Sequence, residues 1–443
     1  MSMTTQPESL FAREEYHCER LGERYVRFRH ASGLCVLMLP KQMHTLSAML
    51  VVRYGAQDDR FAINGSPFHR YPGGVAHYLE HQLFTAEDGG TVDEFFSSRG
   101  AEVNAWTNWE RTAYTVNATE NVEEVLEMLL RFVTSPVFTD ESVKKEQGII
   151  AQEIRMVEDD PWETLHRSAM SALYPHHPIT KGICGTERSI SRITPQTLYD
   201  CYRAFYRFEN MYLTVCGDMT QEELCTILDR ALPFDPDAKA LPPVRRGTDG
   251  SYDSRIPVLR SKKQKAGVSM PIFEIVWRDD AYPRDAAARL QRSLCMDVLS
   301  ELLFSRAGVL YNRLVEKELI TTNYSYGYTT MQNAAYHAIS GESEDPAQIL
   351  QLYADTLEEF RKNGISDADF ERNRRVAYAG FISGFDDTEE IADLLADAEQ
   401  DGCGVFDRLR AIDALTPQMI RELLNEALDM THTTLAVVYP RKS

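Results

Sequence analysis

An internal repeat is the feature that most constrains how this 443-residue chain can fold. The segment Ile193-Thr194-Pro195-Gln196 precedes a predicted helix and strand, and Leu415-Thr416-Pro417-Gln418 precedes the same two elements near the C-terminus, 222 residues later. A second pair of helix starts, at Thr139 and Ser366, is 227 residues apart. Two offsets this similar predict one domain plan used twice.

The residue patterns within the repeat predict an α+β fold. Apolar and polar side chains alternate along 24–54, which predicts two or three antiparallel strands, and 102–117 is typical of a strand hairpin. Segments 121–133 and 140–156 have the apolar spacing of amphipathic helices. We therefore expect two tandem homologous domains, each a mainly antiparallel sheet covered by helices on one side.

The domain boundary follows from composition. Residues 233–253 carry six prolines or glycines among mixed charges, which is typical of a linker. This places an N-terminal domain at 1–232 and a C-terminal domain at 254–443.

Composition and charge exclude several classes of function. The apolar fraction of 43% and charged fraction of 26% are those of a globular protein, and a net charge of -20 opposes binding to nucleic acid or to an anionic membrane. The eight cysteines are scattered without a C-x-x-C pair, and residues 1–11 lack the pattern of a secretory signal. We expect a cytoplasmic protein that does not enter a membrane.

The stretch 73–81, GGVAHYLEH, carries the candidate chemistry. It follows a Gly- and Pro-bearing loop and is expected to open a helix, so His77 and His81 fall on one helical face. Two imidazoles spaced in this way can share one Zn²⁺, and Glu80 beside them can take a proton from water. The alternative is two surface or capping histidines that happen to be four residues apart.

The repeat shows that only one half carries this motif. The position about 227 residues after His77 lies near Phe304, where the chain reads Leu-Leu-Phe-Ser-Arg over 302–306. Neither a histidine nor a pair of carboxylates is present in that segment. We therefore expect a metal site in the first half alone.

A third ligand is needed, because a catalytic zinc usually has three protein ligands and one open position. The predicted helix that contains 144–160 offers Glu146, Glu153 and Glu158. Glu146 and Glu153 are two helical turns apart and share a face, so Glu146 can support a ligand imidazole if Glu153 binds the metal. The alternative is an acidic helix face exposed to solvent.

Three motifs in this order resemble the pitrilysin/insulinase family, the zinc peptidases with an inverted H-x-x-E-H motif. They are His77 to His81 after a Gly-rich loop, Asn-Ala-Trp-Thr at 104–107, and the Glu146–Glu153 pair. The resemblance implies tandem α+β domains with a degenerate second copy. It also implies one Zn²⁺ per chain held by His77, His81 and Glu153, with Glu80 as general base and Glu146 hydrogen-bonded to a ligand.

The resemblance further implies a peptide-binding edge. Asn104, Ala105 and Trp106 would form the sheet edge beside the metal, to which an extended peptide adds as a further strand through main-chain hydrogen bonds. Such an edge favours short or unfolded peptides as substrates. The expected function is therefore that of a zinc-dependent endopeptidase.

One departure from the family pattern concerns the second half. Family members that act alone carry an Arg and a Tyr in a stretch matching 314–322, where this chain has Val315 and Thr322. Arg313, Tyr324 and Tyr326 are nearby but off register. The chain most resembles the bacterial zinc-bearing subunit whose homologous partner supplies Arg and Tyr, and a homodimer is the other assembly considered. The alternative function is a catalytically impaired scaffold or assembly subunit.

Overall fold

The computed structural model describes residues 13–63, 65–85, 90–234, 241–247, 258 and 261–441. The strands of the first half are β1 (Glu14–Cys18), β2 (Glu23–Arg29), β3 (Cys35–Pro40), β4 (Leu46–Val52), β5 (Arg60–Ile63), β6 (His69–Arg70), β7 (Ala101–Thr107), β8 (Thr112–Ala118) and β9 (Met211–Gly217). Its helices are α1 (Val75–Leu83), α2 (Asp93–Ser97), α3 (Val122–Thr134), α4 (Asp140–Asp159), α5 (Pro161–Leu173), α6 (Glu187–Ile190), α7 (Pro195–Phe205) and α8 (Gln221–Ala231).

The second half repeats this mixture of strands and helices. The linker contributes β10 (Val244–Arg246), and the strands of the second half are β11 (Ser261–Ala266), β12 (Ile272–Arg278), β13 (Tyr324–Thr330), β14 (Ala335–Glu342) and β15 (Thr433–Pro440). Its helices are α9 (Ala286–Phe304), α10 (Val309–Glu316), α11 (Pro346–Asn363), α12 (Asp367–Ser383), α13 (Thr388–Asp401), α14 (Asp407–Ala414) and α15 (Pro417–Glu426).

The two main sheets share one topology. The first has the strand order β1-β2-β3-β9-β4-β8-β7, and the second has the order β11-β15-β12-β14-β13. The last strand of each half lies in the interior of its sheet, parallel to one neighbour (β3 or β11) and antiparallel to the other (β4 or β12). The α+β class and the duplication expected from the sequence are confirmed.

The strands within 24–54 are not all neighbours. β2 and β3 pair antiparallel as expected, but β9 lies between β3 and β4. Alternation along a strand reports its local conformation and which faces are buried, and it carries no information about a partner that arrives more than 150 residues later.

Only part of the predicted linker lies within the described residues, namely 233–234 and 241–247. There, β10 pairs antiparallel with β5, in a small sheet of order β10-β5-β6. The Arg246 side chain donates from Nε to Oδ1 of the buried Asp58 at 2.8 Å. This segment is therefore attached to the first half. The segment 1–11, on which the absence of a signal was predicted, lies outside the described residues.

One helix of each half packs on the sheet of the other half. Leu50 of β4 faces the first-half core, whereas Met49 and Val51 face a second core that includes Ile391 and Leu395 of α13. Reciprocally, a third core joins α5 of the first half to β12 and β15 of the second, through Leu165, Met170, Leu173, Ile272, Val276, Ala436 and Val438. Both faces of each sheet are thereby covered.

Polar contacts reinforce this exchange. Glu399 of α13 accepts hydrogen bonds from Arg27 at 2.9 Å and from Arg53 at 3.0 Å, both on first-half strands or their ends. The buried hydroxyls of Ser47 and Thr388 are 2.8 Å apart.

Within the described residues, no helix combines the length and the apolar character needed to cross a bilayer.

Leu395→Ala tests whether α13 holds both halves together. Leu395 is fully buried between the first sheet and the second half, so its truncation should lower the free energy of unfolding by about 2–5 kcal/mol. Urea denaturation measures the change. Leu395→Met is the matched control, since a swap of similar volume should cost less than about 1.5 kcal/mol. Equal losses for the two variants would contradict the packing described here.

Candidate metal centre

A backbone contact between glycines sets the start of α1. Gly74 precedes the helix with a φ of +91°, and a Cβ on it would lie 2.3 Å from the carbonyl oxygen of Cys184. Gly185 has a φ of +77°, and a Cβ there would lie 2.4 Å from the carbonyl oxygen of Gly73. The Ser189 hydroxyl donates to that same oxygen at 2.7 Å. Loop 182–185 therefore packs directly on the turn that begins α1.

The histidine-bearing helix is anchored by its opposite face. Tyr78 and Leu79 are fully buried in the first-half core, and the Tyr78 hydroxyl donates to the carbonyl oxygen of Val143 on α4. His77 and His81 are one turn apart, with ring centroids separated by 4.5 Å. Packing fixes α1 against α4. Both imidazoles consequently point toward the same position.

Helix α4 brings a carboxylate to the two imidazoles. The helix begins with a capping box in which Thr139 Oγ1 accepts from the amide of Ser142 at 3.0 Å. Further along, Glu153 Oε1 is 3.4 Å from His77 Nε2, and Glu153 Oε2 is 3.5 Å from His81 Nε2. One ligand atom from each of these residues lies within 4.8 Å of the other two, and no second cluster of this kind occurs in the described parts of the chain.

Glu146 orients one of the imidazoles. Its Oε1 is 2.9 Å from His81 Nδ1, two helical turns before Glu153 on the same face of α4. A ring N–H that donates to Glu146 leaves Nε2 of His81 free as a metal ligand. Burial disfavours the charged imidazole, but the Glu146 hydrogen bond and the surrounding carboxylates outweigh it and raise the pKa of His81.

Glu80 lies on the same helix with its carboxylate enclosed. Only 8% of the residue is exposed, and Oε2 accepts a hydrogen bond from the Thr107 hydroxyl at 2.6 Å. Burial raises the pKa of Glu80, while the His77 charge and the Thr107 hydrogen bond offset part of that shift. Glu80 is therefore a stronger base than an exposed glutamate.

The donor set fits a divalent cation with nitrogen and oxygen ligands. Two imidazoles and one carboxylate form a common set of catalytic zinc ligands. Glu153 Oε2 and His77 Nδ1 are buried atoms without a hydrogen-bond partner among the described residues. The hydrogen bond with His77, partly opposed by burial, lowers the pKa of Glu153 and so keeps it ionised. A cation between these side chains would satisfy the unpartnered carboxylate oxygen.

The predicted peptide-binding residues lie on β7, the edge strand beside α1. Ala105 packs on the face that carries α1, whereas Trp106 packs on the opposite face with the Arg111 guanidinium 5.2 Å from its ring centroid. Asn104 is exposed, and its Oδ1 accepts from the Ala105 amide at 2.8 Å. The edge therefore presents the main chain of β7 to a peptide, rather than the side chains of Asn104, Ala105 and Trp106.

Two residues at this site were missed by the sequence reasoning. Thr107 had been noted only as part of the Asn-Ala-Trp-Thr motif, and its hydrogen bond to Glu80 required the hairpin to lie beside α1. Cys184 Sγ is 3.6 Å from Glu153 Oε1 and 3.9 Å from His77 Nε2. Burial, with the Glu153 carboxylate, raises the pKa of this thiol to about 12. No sequence signal pointed to Cys184, which is 107 residues from His77.

Two of the three off-register residues in the second half have hydrogen-bond partners there, whereas the Tyr324 hydroxyl is buried without one among the described residues. Arg313 donates to Thr356 Oγ1 at 3.0 Å and to Glu359 at 2.6 Å, and the Tyr326 hydroxyl donates to Glu301 at 2.7 Å. Val315 is an exposed aliphatic residue on α10.

Comparisons with known proteins agree with this fold. Residues 41–187 match the family model described as Insulinase (Peptidase family M16), and residues 192–376 match the model described as Peptidase M16 inactive domain. The uncharacterized zinc protease YmfH of Bacillus subtilis is 30% identical over 427 residues, which are 96% of this chain and 98% of that protein.

Solved structures give the same result. An M16-like peptidase from Alicyclobacillus acidocaldarius superposes with a TM-score of 0.86 at 25% identity, covering 98% of this chain and 99% of that one. The periplasmic protease PqqL from Escherichia coli superposes with a TM-score of 0.72 at 17% identity, covering 94% of this chain and 47% of that one. Because PqqL is a periplasmic protein with the same fold, the cytoplasmic location of this chain stays a prediction.

The chain belongs to the insulinase family of peptidases, family M16, which confirms the family indicated by the sequence motifs. Its second half corresponds to the part of the family described as inactive.

Gly74→Ala tests the backbone contact that starts α1. A Cβ at this position meets both a left-handed φ and the Cys184 carbonyl, so the free energy of unfolding should fall by more than about 1 kcal/mol. Thermal or urea denaturation measures the loss. Gly148→Ala is the matched control, because Gly148 is helical with open space around it and should gain about 0.4–1 kcal/mol. A neutral Gly74→Ala would show that the contact is not required.

Proposed function

We propose that this chain is a zinc-dependent endopeptidase that hydrolyses short or unfolded peptides. His77, His81 and Glu153 are its metal ligands, and Glu80 is its general base. One observation carries the proposal: a buried carboxyl group of raised pKa lies on the same helix as two imidazoles that converge with a third, ionised ligand. The relatives named as zinc proteases support the same metal.

The chain's own residues suit peptide hydrolysis. A zinc ion bound by the three ligands would supply Lewis-acid polarisation of water and of the substrate carbonyl. Glu80 accepts the proton of the attacking water on its carboxylate and then delivers it to the nitrogen of the leaving amine. The Thr107 hydroxyl holds Glu80 Oε2, which fixes the orientation of the carboxylate. Glu146 holds the imidazole of His81 in its ligand orientation.

The substrate is bound as an added strand on β7. Asn104, Ala105 and Trp106 contribute main-chain groups at this edge, and Thr107 continues the strand to Glu80. The Asn104 side chain accepts the hydrogen bond of the Ala105 amide, so an incoming peptide that pairs with this amide must displace that side chain. Main-chain recognition of this kind selects extended peptides over folded proteins.

A homologous partner completes the active site. Val315 and Thr322 replace the Arg and Tyr that would stabilise the developing oxyanion, and Arg313 and Tyr326 have other partners. We infer a heterodimer in which the partner supplies these two side chains, with a homodimer as the second possibility. A scaffold role is the competing function, and the missing Arg and Tyr favour it. Retention of all three ligands and Glu80 argues for catalysis.

Glu80→Gln separates metal binding from catalysis. The amide cannot accept a proton but keeps the shape of the side chain, so kcat/KM should fall by about 10²–10⁴-fold while zinc content is unchanged. Peptide cleavage measures kcat/KM and metal analysis measures zinc content, in both cases on the purified chain with the partner present. Glu222→Gln, an exposed change on α8, is the control and should leave both unaffected. Cleavage at the wild-type rate by Glu80→Gln would refute the assignment.

The partner requirement is tested by reconstitution. Addition of a homologous chain that carries Arg and Tyr in the stretch matching 314–322 should raise kcat/KM by about 10²–10³-fold, the typical effect of a lost oxyanion donor. The same partner with its Arg changed to Ala should restore much less activity. Full activity of this chain as a verified monomer would overturn the requirement. Failure of every homologous partner, with zinc bound, would favour the scaffold function.

A further inference from the structure

A cavity of about 770 Å³ lies beside the candidate metal centre. Cys184 belongs to its wall, and the Cys184 Sγ is 3.6 Å from Glu153 Oε1 and 3.9 Å from His77 Nε2. Ile154 and Val157 of α4, which follow Glu153 along the helix, also line the cavity. The cavity therefore begins next to the candidate metal ligands.

The same cavity lies at the end of the peptide-binding edge. Trp109 lines it and is two residues beyond Thr107, the last residue of β7. The Thr107 hydroxyl donates to Glu80, so the edge strand ends where the proposed general base lies. A peptide that pairs with β7 and continues past Glu80 therefore reaches the cavity on one side of the bond to be cleaved.

Apolar side chains form much of the cavity wall, namely those of Trp109, Ile154, Val157, Ile179 and Ile183. Ligand pockets typically combine an apolar wall with a small number of polar groups that fix the orientation of the ligand. The polar side chains in this wall therefore determine which chemical group the cavity binds.

His166 of α5 is a polar group of the wall with a fixed orientation. Its Nδ1 is 3.0 Å from Oε1 of Glu274, a buried residue on β12 of the second half. The His166 side chain is 32% exposed, and it lines the cavity. Among the described residues, its Nε2 is neither hydrogen-bonded nor enclosed. This nitrogen is therefore available to a ligand in the cavity.

Glu274 favours the cationic form of this imidazole. Burial disfavours the charged ring, but the hydrogen bond to Glu274 and the negative charges of Glu274 and Glu163 outweigh it and raise the pKa of His166. A charged imidazole donates from both ring nitrogens. Nδ1 then donates to Glu274, and Nε2 offers an N–H to the cavity.

The other charged residues of the wall add positive charge. Four lysine or arginine residues line the cavity against three aspartate or glutamate residues, although the whole chain has a net charge of -20. Within the part of the chain that the structure describes, the guanidinium groups of Arg167 and Arg192 have no ion-pair partner. Arg167 is half-buried, whereas the carboxylates of Glu158 and Glu163 are on exposed residues. The more enclosed part of the wall therefore offers cationic donors.

We propose that this cavity is a substrate subsite that binds a carboxylate of the peptide through the Nε2–H of His166 and the guanidinium group of Arg167. The inference rests on the proposed function, which places the cavity beside the bond that is cleaved. Hydrogen bonds from cationic donors to a carboxylate are stronger than those between neutral groups. The apolar wall contacts the carbon atoms that carry the carboxylate. Glu274 is a positioning residue that acts through His166.

Matched peptides test the subsite on the wild-type enzyme. A peptide that the zinc-loaded, partner-supplied enzyme cleaves at one mapped bond is made with a free or an amidated C-terminus, and with Glu or Gln next to that bond. One carboxylate form should have a kcat/KM about 10–100-fold higher than its amide, the effect of one hydrogen bond to a charged group. The pair that shows this preference identifies the carboxylate as terminal or as a side chain. Equal cleavage within both pairs would overturn the inference and leave the endopeptidase function intact.

Side-chain variants assign the preference to His166. His166→Gln should abolish it, because glutamine cannot carry the positive charge. Glu274→Gln should reduce it, since the amide still accepts from Nδ1 but no longer stabilises the charged ring. His17→Gln changes an exposed histidine beside Glu15 on β1 and is the matched control, which should keep the full preference. An undiminished preference in a folded, zinc-loaded His166→Gln enzyme would refute the role of His166.

Equilibrium binding separates this inference from the proposed function. The same peptides, labelled with a fluorophore, are titrated into the zinc-loaded Glu80→Gln chain with its partner, so that cleavage does not interfere. The carboxylate form should bind about 10–100-fold more tightly than the amide, and His166→Gln in this background should remove the difference. That result without cleavage by the wild type would support the subsite and refute the endopeptidase function. Failure to bind any of the peptides would refute both.

Discussion

The inner strands of both sheets are buried on both faces, and the whole structure depends on how the second face is buried. In β4 and β9 of the first half, alternate residues enter two different cores, and the second core is completed by α13 of the other half. The second sheet is covered in turn by α5. Because burial of apolar area is the main favourable term in folding, separating the halves would expose the second face of each sheet to water at a large cost in free energy. The half that carries the candidate metal centre therefore depends on the other half for the burial of its sheet.

Packing and backbone contacts organise the candidate centre. Helix α1 is fixed at its start by the glycine contacts with loop 182–185 and along its length by the core, while α4 carries both Glu146 and Glu153 on one face. The pKa values of Glu80 and Glu153 shift in opposite directions. Burial raises the pKa of Glu80, and the hydrogen bond with His77 lowers the pKa of Glu153. These opposite shifts support the roles that we propose, with Glu80 as the base and Glu153 as the anionic ligand.

The second half has the same fold without the histidine motif. Helix α9 follows β12 as α1 follows β4, but it ends in Phe304, a buried residue whose ring centroid is 4.8 Å from that of His337. Burial lowers the pKa of His337 to about 3, so this imidazole is a neutral core residue. Among the described residues, the one cluster of side chains that could hold a metal lies in the first half.

The sequence by itself determined the elements that rest on local periodicity: the duplication, the helix of His77 and His81, the shared face of Glu146 and Glu153, and the 102–117 hairpin. Tertiary structure alone decided which elements became neighbours. It placed β9 between β3 and β4 and packed α5 and α13 on the sheet of the opposite half. It also brought Thr107 into contact with Glu80, and Cys184 into contact with Glu153. The physical reason is that periodicity reports the conformation and buried face of one segment, whereas contacts between distant residues depend on the burial of several faces at once.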